Sequence, residues 1–257
     1  MRSLGVLLGV LASLVSARAQ SQAPILPPDV GQLIVSIAPS WDATRGKLML
    51  FERTDAGWRP ASDVIPVLYG RNGLAWGRGL PGTTEAGLQK REGDGRAPAG
   101  LFALGKIFGD DPALPEGAAY PYHQVTTRDA WIDDPDHPHY NRHVAIDDPE
   151  HPPAWFEKHR MRVGDAAFRW RVEIRHNAEP PEPGAGSVIF FHIRRGPERK
   201  TAGCTVMARD DLLTMIRWLR ASEKPHYVLL PWPQYAARVG PWGLPDIEAI
   251  EPLKPRS

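Results

Sequence analysis

The residues with most chemistry in them are a histidine and a cysteine separated by one polar, turn-rich loop, in FFHIRRGPERKTAGCT at residues 190–205. His192 ends a strongly β-prone run, and the loop after it can fold back to bring Cys204 into contact with the ring. A thiol is mostly protonated near neutral pH, and a nearby imidazole supplies or stabilises the thiolate that acts as nucleophile. Gly203 lets backbone approach closely, and amides near Cys204 can bind a developing oxyanion. Arg194, Arg195, Arg199 and Lys200 add positive potential, which favours a thiolate and an anionic substrate group. Cys204 also sits close to the start of an expected helix, a position that lowers thiol pKa values. The plain alternative is a hairpin carrying an incidental histidine and a buried, inert cysteine.

Two further neighbourhoods carry residue types capable of chemistry. KREGDGRAPAG at residues 90–100 interleaves charges with glycines but lacks the G-x-x-x-x-G-K-[ST] phosphate-loop spacing, so it reads as a structural hairpin. WIDDPDHPHYNRH at 131–143, followed by DDPEH at 147–151, gathers Asp133, Asp134, His137 and His139 and invites a metal. No H-E-x-x-H or comparable spacing is present and the prolines mark separate turns, so neither a metal nor any other cofactor is expected. His176, at a strand end before Asn177, reads as structural.

The elements that must position these groups are mostly strands. Short apolar or alternating runs predict strands at 32–38, 47–53, 64–69, 101–107, 168–174, 187–193 and 227–230. One clear helix is expected at 210–220, where Leu212, Leu213, Ile216 and Leu219 share a face. The Gly-rich stretch 70–82 reads as loop, and 109–153 as a long, ordered, functional loop region. With 27 prolines and 24 glycines, the chain suits a mainly β sandwich or barrel-like domain with one or two helices.

At the front, Arg2, an apolar run and Ala17-Arg18-Ala19 fit a secretory signal peptide over residues 1–19, too short in its apolar core to span a bilayer comfortably. The expected division is a flexible lead-in at 20–31, a catalytic domain at 32–231, and a Pro- and Trp-rich tail at 232–257 packed as extended chain. No membrane span is expected after signal cleavage, and a net charge of +1 argues against a nucleic-acid partner. A single cysteine in an exported chain forms no internal disulfide, which leaves a reactive thiol or a link to another chain. Nothing in the sequence sets an oligomeric state.

Four motifs in order complete the picture: K-R-E-G-D-G-R-x-P-x-G-x-F (90–102), W-x-D-D-P…Y-N (131–141), G-S-x-I-F-x-H (186–192) and T-x-G-C (201–204). Together they resemble the L,D-transpeptidase catalytic-domain family, also called YkuD-like. The resemblance implies a β-rich sandwich-like fold, and Cys204 as the nucleophile that attacks the carbonyl between meso-diaminopimelate and D-alanine in a peptidoglycan donor stem. It implies His192 as base, the Ile193 carbonyl orienting the ring, and Gly203 and Cys204 as oxyanion-hole amides. Trp131, Asp133, Tyr140 and Asn141 fall in the implied substrate cleft, with Arg194, Arg195 and Thr201 expected as further substrate-binding groups. An amine acceptor or water resolves the thioester, in the periplasm or cell wall. Ala202 stands where many members carry histidine, and no arginine follows soon after Cys204. Alternatives in view are an L,D-carboxypeptidase or hydrolase using the same pair, a non-catalytic peptidoglycan-binding module, and a metal-dependent hydrolase.

Overall fold

The computed structural model describes residues 23–83 and 85–255. The signal peptide expected at 1–19 lies outside them. Among the described residues thirteen strands follow in chain order: β1 (Gln32–Ala38), β2 (Arg45–Thr54), β3 (Gly57–Pro60), β4 (Ile65–Leu68), β5 (Leu74–Trp76), β6 (Ala97–Gly109), β7 (Tyr122–Gln124), β8 (Asp129–Trp131), β9 (His143–Ala145), β10 (Trp170–Ile174), β11 (Phe190–Ile193), β12 (Thr205–Met207) and β13 (His226–Pro231). Four α-helices accompany them among the described residues, α1 (Phe156–His159), α2 (Arg209–Trp218), α3 (Trp232–Ala236) and α4 (Val239–Trp242), and of these only α2 exceeds five residues.

The main sheet runs β1-β13-β6-β10-β11-β12-β4-β2, and β2 pairs again with β1, so the sheet closes on itself as a barrel. Closure explains why β1 is buried at every position: it lies between β2 and β13, with covered faces on both sides. β6 is the longest strand, pairing with β13 through its first half and with β10 through its second. Its Gly100 takes a φ of +145° with the Phe102 ring 3.1 Å from where a Cβ would stand, a conformation that favours glycine. Phe51, Phe102, Phe191 and Tyr227 fill the core, and emptying one such site costs about 3–5 kcal/mol.

α2 forms as its periodicity predicts. Leu212, Leu213, Met215 and Ile216 are buried against the barrel, while Asp210 and Asp211 occupy the first turn, where the helix dipole favours acids. The mainly β expectation therefore holds, with one substantial helix and several short ones.

Three local expectations change. The 109–153 stretch contains β7, β8 and β9, and β8 and β9 form a small separate sheet. The tail is not extended, because α3 and α4 turn back on the barrel and bury Tyr235 and Trp242. The lead-in is not loose from Ile25 onward: Ile25 and Leu26 donate to the carbonyls of Pro241 and Trp242, and Leu26 and Val30 are buried. Among the described residues no helix is long and apolar enough to cross a membrane.

Candidate active site

β11 and β12 are parallel neighbours, so the chain leaving Ile193 must travel back before β12 can begin. The return loop ends at Cys204. Phe191 stands opposite Thr205 and His192 opposite Val206, which brings Cys204 beside Phe190. Side chains alternate along strands, so Phe190, His192, Cys204 and Val206 share one face. All four line a cleft of about 540 Å³.

The loop is clamped to the end of β4. The Thr201 amide donates to the Tyr69 carbonyl at 3.0 Å, and the Arg71 amide donates to the Thr201 carbonyl at 2.9 Å. Thr201 Oγ1 donates to the Cys204 carbonyl at 2.7 Å and accepts from the Gly203 amide at 3.1 Å. A Cβ on Gly203 would sit 2.9 Å from the Arg96 carbonyl oxygen, so close approach of two backbones requires glycine there. The Gly203 amide, expected to face an oxyanion, is thus engaged by Thr201. Among the described residues no acceptor pairs with the Cys204 amide.

His192 is buried, and its Nδ1 donates to the Ile193 carbonyl at 3.0 Å. A carbonyl only accepts, so this contact puts the proton on Nδ1 and leaves Nε2 as the basic nitrogen. The ring packs on Phe168 at 4.6 Å. Burial lowers the imidazole pKa to about 4, against the pull of the Ile193 and Ala167 carbonyls, with Arg195 and Arg171 adding repulsion.

The Cys204 thiol donates to the Val188 carbonyl at 3.6 Å rather than to His192. Burial pushes its pKa up to about 11, opposed by the Phe190 amide and by Lys90. The expected help from a helix start does not reach it, since β12 intervenes before α2 begins at Arg209. The resting site holds a neutral thiol and a neutral imidazole.

Val188 itself has φ +57°, rare for a β-branched residue and costing on the order of 1–3 kcal/mol. Its amide donates at 3.0 Å to Asn141 Oδ1, which also accepts from Trp131 Nε1 at 3.2 Å. Asn141 Nδ2 donates to the carbonyls of His176 and Asn177 at 3.0 and 2.8 Å. Asn141 is a buried joint behind the cleft, with no amide group left for substrate. Tyr140 is likewise behind it: its hydroxyl donates to Glu92 Oε2 at 2.5 Å, which also accepts from Ser187 Oγ at 2.7 Å.

Of the sequence-predicted residues, Cys204, His192, Gly203, Thr201, Trp131, Asp133 and Arg195 line the cleft. Ile193 contributes its carbonyl from outside the lining. Tyr140, Asn141 and Arg194 do not line it, and the Arg194 amide continues the strand pairing by donating to the Met207 carbonyl. Sequence reasoning missed Lys90, Glu92, His159, Arg171 and Ser187, which do line it. Lys90 and Glu92 fall in the KREGDGR motif, so a signal existed. Lys90 Nζ is held by Asp94 Oδ1 at 2.6 Å and by the Arg91 carbonyl at 2.7 Å. Basic groups dominate the walls: Lys90, Lys158, Arg160, Arg162, Arg171, Arg195, Arg199 and Lys200 stand against Glu92 and Asp133.

Asp133, Asp134, His137 and His139 do not converge. Asp133 Oδ1 accepts from His159 Nδ1 at 2.6 Å, Asp134 pairs with Lys158 at 3.4 Å, and His137 packs on Trp155 at 5.1 Å.

Compared with known proteins, residues 49–228 match the family model for the L,D-transpeptidase catalytic domain. No curated protein and no solved structure matches the chain.

Proposed function

This chain belongs to the L,D-transpeptidase catalytic-domain family, whose members act on peptidoglycan, and from that premise we propose that it is a cysteine-dependent acyl-transfer enzyme for stem peptides. The observation that carries the reading is Cys204 and His192 on one face of adjacent parallel strands, inside a cationic cleft, with Nδ1 held by Ile193.

In the proposed cycle the thiol leaves the Val188 carbonyl and passes its proton to His192 Nε2. The sulfur attacks the carbonyl between meso-diaminopimelate and D-alanine of a donor stem. The Cys204 amide receives the oxyanion, and the imidazolium protonates the departing D-alanine amine. A thioester remains, and an acceptor amine, deprotonated by His192, resolves it and restores the thiol. Because the resting pair is neutral, proton transfer accompanies attack instead of preceding it. The basic walls suit the carboxylates of a donor stem, with Arg195, which is paired with Asp165, among the expected contacts. Trp131 and Asp133 would flank the peptide, and Thr201 holds the loop instead of touching substrate. The leader expected at residues 1–19 fits export to the periplasm or cell wall.

Intact-mass analysis with a tetrapeptide donor tests the proposal. The wild-type protein should gain the acyl mass as the donor releases D-alanine, then transfer the acyl group when an amine is added, and Cys204→Ala should do neither. Transfer retained in Cys204→Ala would overturn it, as would an unreactive Cys204 that still binds muropeptides. Release of free tripeptide at the same rate with and without amine would assign hydrolysis as the outcome instead.

A further inference from the structure

Behind the cleft, three side chains from three strands converge on a point that the acyl-transfer chemistry does not use. His123 of β7 and His143 of β9 both bring Nε2 to the same oxygen of Asp129 in β8, at 2.7 and 2.6 Å. All three ligand-type atoms lie within 4.8 Å of one another. The two imidazole rings are 4.6 Å apart and inclined at 64°, and both bring Nε2 to that one oxygen. The second Asp129 oxygen is taken by the Thr126 amide and hydroxyl at 2.7 and 2.8 Å, which turns Oδ1 toward the histidines. Phe108 packs on both rings, at 5.5 and 5.2 Å. A carboxylate orientated from behind, two imidazoles and an apolar wall form the ligand set and surroundings of a borderline transition-metal site.

From this convergence we propose that His123, Asp129 and His143 bind a divalent transition metal of the zinc type, which ties β7, β8 and β9 together. A tetrahedral zinc site with bonds of about 2.0–2.1 Å places its ligands about 3.3 Å apart. The two Asp129–histidine spacings need to widen by roughly 0.6–0.7 Å, a small side-chain adjustment on that geometry. Asp129 is buried while the two histidine side chains are 33 % and 23 % exposed, so an ion has a way in and water can complete its coordination. These residues are not Asp133, Asp134, His137 and His139, the group that sequence spacing brought forward. None of the three lines the Cys204 cleft, and Phe108 and Trp131 pack between the two regions. The metal is therefore a brace for the substructure that carries Trp131 and takes no part in acyl transfer.

The test uses the full protein in a Cys204→Ala background, to remove thiol binding, stripped with chelator and titrated with Zn²⁺ by calorimetry and with Co²⁺ by visible absorption. One equivalent of Zn²⁺ should bind with submicromolar affinity, Co²⁺ should give d–d bands without thiolate charge transfer, and zinc should raise the melting temperature. His143→Gln and Asp129→Asn should lose at least tenfold in affinity. The more exposed His123→Gln, checked for a cooperative melt in chelator, keeps the comparison sound if either of the others fails to fold. No stoichiometric binding, or binding unchanged in a folded His123→Gln or His143→Gln, would overturn the site and leave the trio a hydrogen-bonded clamp. Neither result bears on Cys204 acylation, which is measured separately.

Discussion

Removing the Asn141 carboxamide is the sharpest perturbation of how the thiol is held. Asn141→Ala leaves two buried donors, Trp131 Nε1–H and the Val188 amide, without acceptors, and strips a donor from the carbonyls of His176 and Asn177. A buried unsatisfied group costs about 1–3 kcal/mol, so the two donors account for about 2–6 kcal/mol. Alanine at the Asn141 φ of +53° adds about 1 kcal/mol of backbone strain. A water filling the vacated space recovers part of this, so the expected loss is about 3–5 kcal/mol. Urea unfolding followed by tryptophan fluorescence should show a lower midpoint with an unchanged slope. Asn141→Gly keeps the orphaned donors but removes the strain, and should be about 1 kcal/mol better than alanine. Acyl-enzyme formation should slow in both, since Val188 no longer holds its carbonyl against Cys204. A loss under about 1 kcal/mol, or a change in KM alone at unchanged stability, would refute the reasoning and restore Asn141 as a substrate contact.

Alkylation of Cys204 by iodoacetamide should climb steadily through pH 9 and level near 11, where burial puts the thiol pKa, and a plateau by pH 8 would reveal a preformed ion pair. Acid should destabilise the fold through His192 and His176, whose pKa values burial lowers to about 4 and about 3. Their unfolded forms take up protons below about 6.5 while the folded forms stay neutral, so stability is full above that pH and is lost as pH falls toward 4 and then 3. His192 alone contributes about 3 kcal/mol of that loss, and urea midpoints equal at pH 7 and pH 4.5 would contradict it. Thr201→Val removes the hydroxyl bonds to Gly203 and Cys204, and should cost about 1–2 kcal/mol and lower kcat, with Thr201→Ser restoring both. Equal kcat in the valine and serine variants would mean that the hydroxyl positions nothing.

Strand β1 and helix α2 were legible because each carries its own pattern, an apolar run in one and a 3.6-residue stripe in the other. β12 was not, since three residues before a helix hold no period, yet it separates Cys204 from α2 and removes the expected dipole effect. β5 lay hidden in a Gly-rich stretch because its partner is β6, more than a turn away in sequence. That Cys204 and His192 come to one face was readable from their spacing, and the contact of the Ile193 carbonyl with the ring from the family resemblance. Asn141 and Tyr140 were assigned to substrate because their motif is local, whereas their bonds reach Val188, His176 and Glu92 from across the chain. The direction of the thiol shift was also out of reach, because desolvation depends on who covers the sulfur.

Val188 ties backbone strain to the hold on the thiol at a single codon. Glycine there would relax a left-handed backbone, yet it would withdraw the isopropyl group that packs with Cys204 on Phe108, Trp131 and Phe190, and would loosen the carbonyl that fixes the thiol. The strain relieved is offset by the packing lost and by a freer unfolded chain, so a laboratory selection scored on survival after heating would be nearly indifferent to glycine at 188, and one scored on turnover would purge it. A fall in rate in a variant carrying glycine at 188 should therefore be traced to a loosened thiol before it is blamed on Cys204 or His192.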